Sequence, residues 1–194
     1  MRQEDPQAIA RELKRHGVIL GGFVAAMWIS ELIDRLIFNG QLDRLGILPR
    51  HPESLRGILL MPFLHGNFAH LLSNTFPFLV LGWLVMVRGI GDFFFVTAVV
   101  MLASGLGVWI FGSPGFHIGA SGVVFGYLGF LLLRGLFERS FQSIALSLLV
   151  VFFYGGLVVG VLPGQPGVSW EGHFFGLLGG ILAAATLPRK RFRS

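Results

Sequence analysis

The 194-residue chain contains no cysteine, which excludes a disulfide framework and a thiolate nucleophile. Charge is scarce as well: Asp, Glu, Lys and Arg make up 13% of the residues, against roughly 25% in an ordinary water-soluble domain. There is no His-Glu-x-x-His string, so the commonest zinc-hydrolase signature is missing. Low-complexity tracts and convincing internal repeats are also absent. What fills the chain instead is apolar: 54% hydrophobic residues, with 20 Phe and 28 Gly. Phe in quantity suits contact with acyl chains. Glycine in quantity suits helices that must pack closely where no hydrophobic drive separates them from their solvent.

The formal charge of +5 does not make a nucleic-acid reader, because the basic residues sit at the ends of apolar runs rather than on one water-facing surface. Arg2, Arg11, Lys14 and Arg15 precede the first run; Arg189, Lys190, Arg191 and Arg193 follow the last. Six apolar stretches, near 17–38, 67–87, 92–112, 119–137, 141–162 and 170–187, approach the roughly 20 helical residues that a bilayer core requires. Eleven Lys and Arg then fall on the side of the termini and four on the other, which predicts cytoplasmic termini. The expected organisation is a short cytoplasmic arm over 1–16, a membrane domain over 17–187 and a basic cytoplasmic tail over 188–194. No cleavable signal peptide is expected. Glu31, Asp34 and Arg35 fall in the second half of the first run, where Glu31 and Arg35 have the spacing to pair. The long connection 39–66 is apolar yet interrupted by proline, as befits a segment lying partly in the membrane interface.

Polar residues inside apolar spans are costly and therefore point to function. Three groups qualify: His65-Gly66-Asn67 with His70 and Asn74 at the start of the second span, Gly119-Ala120-Ser121-Gly122 at the start of the fourth, and Gly172-His173 at the start of the sixth. Those three spans run in the same direction, so the groups share one depth near the external face. Ser121 can serve as a nucleophile if His173, whose ordinary pKa suits a general base near neutral pH, takes its proton. Such a pair should lie within about 3–3.5 Å. His70 and Asn74, four residues apart on one helical face, can join the Ser121 N–H as oxyanion donors. Gly119 and Gly122 leave the Ser121 hydroxyl approachable. Gly176 and Gly180 continue a small-residue ridge from Gly172 that lets the fourth and sixth spans approach.

Each motif alone has a plainer reading. Gly-x-Ser-Gly arises readily in a glycine-rich chain, a single His at a span end is usually interfacial, and His70 with Asn74 could be a polar contact between helices. Three histidines could also gather a metal, but no carboxylate lies on these spans to complete such a site. Neither metal nor cofactor is expected. His117 reads as a loop neighbour of Gly119, Glu171 as a loop charge, and His16 and His51 have no supporting context.

Taken together and in this order, the motifs resemble those of the rhomboid intramembrane serine proteases over most of residues 17–187. The resemblance implies an all-α membrane protein built as a six-transmembrane-helix rhomboid-like bundle, working through a Ser121–His173 dyad without a third carboxylate. By that likeness His70, Asn74 and the Ser121 N–H bind the oxyanion, and the substrates are transmembrane proteins cut near the outer end of a helix. His65 would be structural or water-organising. Phe125 stands where relatives often carry a Tyr that stacks on the histidine, and Leu55-Arg56-Gly57 stands near the place of a Trp-Arg pair common in their first loop. Short tails and a bare six-span core suggest a multi-pass protein of a bacterial plasma membrane, with an organelle as the alternative; no nucleic-acid partner is expected, and nothing in the sequence sets an oligomeric state. The alternative is a non-catalytic rhomboid-like protein or a transporter that binds transmembrane clients.

Overall fold

The computed structural model describes residues 6–138, 141–165 and 167–187; Arg139, Pro166 and the basic tail at 188–194 lie outside them. Among the described residues the regular structure is helical, apart from one isolated antiparallel bridge between Ile47 and His117. Helix α1 (Pro6–Ile33) widens into a π-helical turn at Asp34–Phe38. The connection to the next long helix carries several 3-10 turns and a single α-helical turn, α2 (Gly57–Leu60). Then follow α3 (Phe68–Met86), α4 (Ile90–Phe111), α5 (Ser121–Glu138), α6 (Phe141–Tyr154), which tightens into a 3-10 helix at Gly155–Val161, and α7 (Trp170–Thr186).

The helix starts are written into the sequence. Asn67 caps α3, its side-chain oxygen accepting the His70 N–H at 2.8 Å, and Ser169 caps α7 by accepting from the Gly172 N–H. Both satisfy N–H groups that the helix itself leaves without partners. Hydropathy marks the apolar part of α1 from residue 17, but the helix begins at Pro6, so Arg11, Lys14 and Arg15 ride on its first turns.

Among the described residues, four segments can cross a bilayer by length and composition: Pro6–Phe38, Phe68–Met86, Ile90–Phe111 and Phe141–Val161. The two helices at the centre are shorter. Helix α7, with 17 residues, spans about 26 Å at 1.5 Å per residue. It packs most extensively against α5 and then α4. Glycine makes this closeness possible: a Cβ on Gly180 would lie 1.8 Å from the Gly126 carbonyl oxygen, and one on Gly176 would lie 2.1 Å from that of Gly122. The outer surface is the reverse. Phe141, Phe152 and Phe153 of α6 point outward with most of their rings uncovered, a surface that only lipid solvates well. The protein is an integral membrane protein of all-α construction.

At the end of the bundle opposite the N-termini of α3, α5 and α7, Arg88 pairs with Asp92 at 2.7 Å and with Glu138, which also meets Arg134 at 2.6 Å. Arg134 further donates to the Ala184 carbonyl at 3.0 Å. These bonds join α4, α5 and α7 at their far ends.

The two carboxylates late in the first span lie inside the fold, and Arg35 reaches in to meet one of them. Glu31 and Asp34 are buried; Arg35 pairs with Glu31 at 2.8 Å and also donates to the Gly66 carbonyl. Asp43, on the adjoining 3-10 turn, is partly covered. Burial, with Asp34 and Glu31 nearby and Arg35 only partly opposing them, pushes its carboxyl up to about 6. A raised folded-state value means that the native protein holds this proton where the unfolded chain has lost it, so stability falls as pH rises from about 4 to about 6. Asp43→Asn is expected to flatten that decline, measured as thermal unfolding in detergent across this range. An unchanged pH slope in the variant would assign the decline elsewhere.

The loop 39–66 is anchored from the side of α4. Trp109 donates its indole N–H to the His51 carbonyl at 3.0 Å. Arg50 reaches the Ile110 and Gly112 carbonyls at 3.3 and 3.1 Å. At Leu55-Arg56-Gly57, near the place expected for a Trp-Arg pair, a Cβ on Gly57 would fall 2.7 Å from the backbone of Gly46. Here the anchor is a backbone contact with Trp109 and Arg50 beside it.

Candidate active site

The N-termini of α3, α5 and α7 converge, and the three sequence groups meet there. Ser121 is the first residue of α5 and His173 lies in the first turn of α7. Their side chains touch: His173 Nε2 is 2.8 Å from Ser121 Oγ. The other ring nitrogen, Nδ1, is 2.9 Å from the Gly160 carbonyl oxygen. A carbonyl can only accept, so Nδ1 carries the hydrogen and, in the neutral ring, Nε2 presents its lone pair to the serine hydroxyl. This is the tautomer a general base needs. Phe125, one turn along α5, lies flat against the imidazole with ring centroids 4.1 Å apart and planes at 6°. The ring is thus held at one edge by a backbone oxygen and on one face by an aromatic.

Gly160 belongs to the 3-10 helix that ends α6, and a Cβ there would come 2.8 Å from Phe125 Cζ and 3.2 Å from His173 Nδ1. Its oxygen reaches the ring because no side chain intervenes. Sequence reasoning missed this partner, since a backbone carbonyl has no side-chain signature.

Gly119 adopts φ +109°, and a Cβ on it would sit 2.8 Å from the His70 ring. Only glycine meets both conditions without strain. His70 is therefore brought against the backbone that leads into Ser121. Asn74, buried one turn further along α3, donates to the His70 carbonyl at 2.9 Å and keeps a second amide hydrogen. His65 lies beneath them, fully buried, with its ring edge-on to His70 at 5.1 Å and Nε2 3.4 Å from the Ala120 N–H. On the other flank, Ser104 of α4 donates to the Gly172 carbonyl at 2.9 Å. A Cβ on Gly122 would strike that same hydroxyl at 2.4 Å. Gly122 and Gly176 therefore pass one another directly below the Ser121–His173 contact.

A cavity of about 1070 Å³ opens here, bounded by His70, Asn74, Ser121, Phe125 and His173 and by residues 113–118, 164–165 and 167–169. Its size admits an extended peptide segment together with water. A hydroxyl, a base in the right tautomer and donors on the adjoining helix are what acyl transfer to serine requires. Among the described residues no set of three His, Asp or Glu is grouped as a metal site.

Glu171 proves different from its sequence reading, and His117, in its loop as expected, is more fully engaged than the sequence suggests. Glu171 is not a loop charge: it lies in the first turn of α7, is 2% exposed, and accepts the Ser113 N–H at 2.8 Å and the Ser113 hydroxyl. His117 is tied on both ring nitrogens, to Ser169 Oγ at 2.6 Å and to the Ser113 carbonyl at 2.9 Å. Away from the cavity, His16 is buried with its ring edge-on to Trp83, a packing role in the bundle.

Comparison with known proteins gives a consistent result. The family model described as Rhomboid domain matches residues 52–190. An uncharacterized protein of Mycobacterium tuberculosis (strain H37Rv) is 42% identical over 197 residues, covering 93% of this chain and 82% of its own length. An uncharacterized protein of Mycobacterium leprae is 41% identical over 189 residues, covering 92% of this chain and 74% of its own. The rhomboid protease GluP of Bacillus subtilis is 32% identical over 133 residues, which is 66% of this chain and 25% of that protein.

Proposed function

We propose that this chain, which belongs to the rhomboid family, is an intramembrane serine endopeptidase that hydrolyses peptide bonds in or near the transmembrane segments of other membrane proteins. The observation that carries the reading is the pair of bonds on His173: Nε2 to Ser121 Oγ at 2.8 Å and Nδ1 to the Gly160 carbonyl at 2.9 Å. A histidine that merely filled space would not need this tautomer facing a serine inside a cavity.

In this reading Ser121 Oγ attacks the scissile carbonyl while its proton passes to His173 Nε2. The imidazolium so formed remains bonded through Nδ1 to Gly160 and stacked on Phe125. No carboxylate is required as a third member, because the Gly160 oxygen already orients the ring. The tetrahedral oxyanion develops on the His70 side, where His70, Asn74 and the Ser121 N–H can donate to it; the unpaired amides at the start of α5 add positive potential there. His173 returns the proton to the leaving amine. Water from the cavity then repeats the sequence on the acyl-enzyme.

The charge asymmetry of the loops supports cytoplasmic termini and a cavity opening on the external side; the mycobacterial and Bacillus subtilis relatives favour residence in a bacterial plasma membrane. The domain is read as 17–187 between a cytoplasmic arm over 1–16 and a basic tail, crossing the bilayer six times. Substrates would be transmembrane proteins whose helix unwinds to enter, because a helical carbonyl is shielded by its own hydrogen bond.

A serine-directed fluorophosphonate tests the reading. Mass spectrometry of the purified protein should find the adduct on Ser121, with labelling lost in His173→Ala. An unlabelled Ser121 in folded protein, or activity abolished by a chelator alone, would defeat it. For the oxyanion donors, Asn74→Ala is expected to lower kcat by about 100-fold, the lower end of what loss of one donor costs, with KM little changed. A wild-type kcat would remove Asn74 from that role.

A further inference from the structure

Two segments deliver the reacting groups. The loop 112–120 ends at Ser121, and the turn 167–170 leads within three residues to His173. Below the dyad the two helices are fastened by the Gly122–Gly176 approach. Above it there is no helix on the Ser121 side to pack, yet the two segments are joined there by a closed ring of polar bonds. Ser113 gives both its N–H, at 2.8 Å, and its hydroxyl to one oxygen of Glu171. His117 Nε2 lies 2.9 Å from the Ser113 carbonyl, which can only accept, so that nitrogen carries the hydrogen. In the neutral ring Nδ1 then accepts from the Ser169 hydroxyl at 2.6 Å, while Ser169 Oγ also accepts the Gly172 N–H at 3.3 Å. Every donor and acceptor in this ring has a consistent role.

Glu171 and His117 are each less than one-tenth exposed. A carboxylate buried this far costs several kcal/mol unless its oxygens are engaged. Glu171 engages nothing on the dyad itself: His173 Nδ1 is taken by Gly160. Its bonds run across to the loop that carries the serine.

We infer that Glu171 is a positioning residue for the dyad, holding through Ser113, and beside the His117–Ser169 bond, the separation between the loop that delivers Ser121 and the turn that delivers His173. This rests on the dyad reading above. Misplacement of reacting groups by about 1 Å can cost on the order of 100-fold in rate, and the ring's His117 and Ser169 lie four residues before Ser121 and His173 respectively.

The test compares wild type with Glu171→Ala, Glu171→Gln, Glu171→Leu and Ser113→Ala in proteoliposomes carrying a single-span reporter. Fluorophosphonate labelling of Ser121 is followed in parallel. Glu171→Ala is expected to lower kcat about 10- to 100-fold with KM within about twofold, and to slow labelling by a similar factor. Glu171→Gln keeps an acceptor oxygen for Ser113 and should recover most of the rate; Glu171→Leu, similar in bulk but without an acceptor, should stay as slow as Glu171→Ala, whereas a role in filling space alone would let Leu recover the rate as well. The Glu171→Ala/Ser113→Ala double variant should be no slower than Glu171→Ala, because Ser113→Ala removes only the hydroxyl bond of a tie that Glu171→Ala removes whole.

A wild-type kcat in Glu171→Ala overturns the inference, as does a Gln variant as slow as Ala or multiplicative losses in the double variant. Should Glu171→Ala not fold, Ser113→Ala decides: a severalfold fall in kcat at unchanged KM supports the tie, and a wild-type kcat overturns it. Wild-type protein inert to both reporter and phosphonate would sink the dyad reading and this inference with it. An active wild type with indifferent Glu171 and Ser113 variants sinks only the inference.

Discussion

Ser121→Ala is expected to abolish cleavage of a single-span reporter, lowering kcat by about 10⁶-fold, the loss seen when a serine nucleophile or its histidine is removed from an established Ser–His site. His173→Ala should match it, and the double variant should be no slower than either single one, because serine and base act as one unit. The geometry explains why the losses coincide. Without His173 the Ser121 hydroxyl keeps its proton and is a weak nucleophile; without Ser121 the imidazole faces the cavity with nothing to deprotonate but water. Neither change alters packing much, since the Gly122–Gly176 approach and the Ser104 bond to the Gly172 carbonyl remain. Unfolding temperature should therefore hold while turnover vanishes. Substrate binding, measured by fluorescence of a labelled reporter, should persist in Ser121→Ala. Cleavage by that variant within tenfold of wild type would remove Ser121 from the chemistry.

How far the sequence could be read depended on whether a residue's partner was local or distant. Ser121, His173, His70 and Asn74 were legible as a set because helices of one direction bring their first turns to one level, and short Gly-x-Ser-Gly and Gly-His strings mark those turns. The glycine ridge was legible for a similar reason: residues four apart share a face, so Gly176 and Gly180 announce a surface that something must approach. Gly160 was not, because what it contributes is a carbonyl oxygen brought to His173 by the change from α-helix to 3-10 helix at Gly155. Glu171 was misread for a different reason. Helical periodicity correctly turns it away from the dyad, but the Ser113 it turns toward is 58 residues away in sequence, in a loop without periodicity. The start of α1 shows a third limit: hydropathy reports where the chain is apolar, whereas the helix continues through charged turns back to Pro6.

The largest expected loss of stability is at Gly180. A Cβ added there would lie 1.8 Å from the Gly126 carbonyl oxygen and 2.8 Å from the Phe130 amide nitrogen, and both are backbone atoms of α5 that no rotamer change can move. Gly180→Val must push α7 away from α5. Overpacking of a well-packed core typically costs 1–3 kcal/mol, and a clash of backbone with Cβ should reach or exceed about 3 kcal/mol, because the whole helix has to shift. The same displacement acts on the dyad, since Ser121 and His173 sit on these two helices and share the contact surface two turns above. Gly180→Val should thus lower both unfolding temperature and kcat, whereas Ser121→Ala lowers kcat alone. Gly91→Ala provides the contrast: it is helical, at the start of α4, and a Cβ there meets nothing within 4 Å. It should leave activity intact and stabilise by up to about 1 kcal/mol through helix propensity. Thermal unfolding in detergent, read beside reporter cleavage, checks both. If Gly180→Val unfolded at the same temperature as Gly91→Ala, the close approach of α5 and α7 would not be what holds the dyad together.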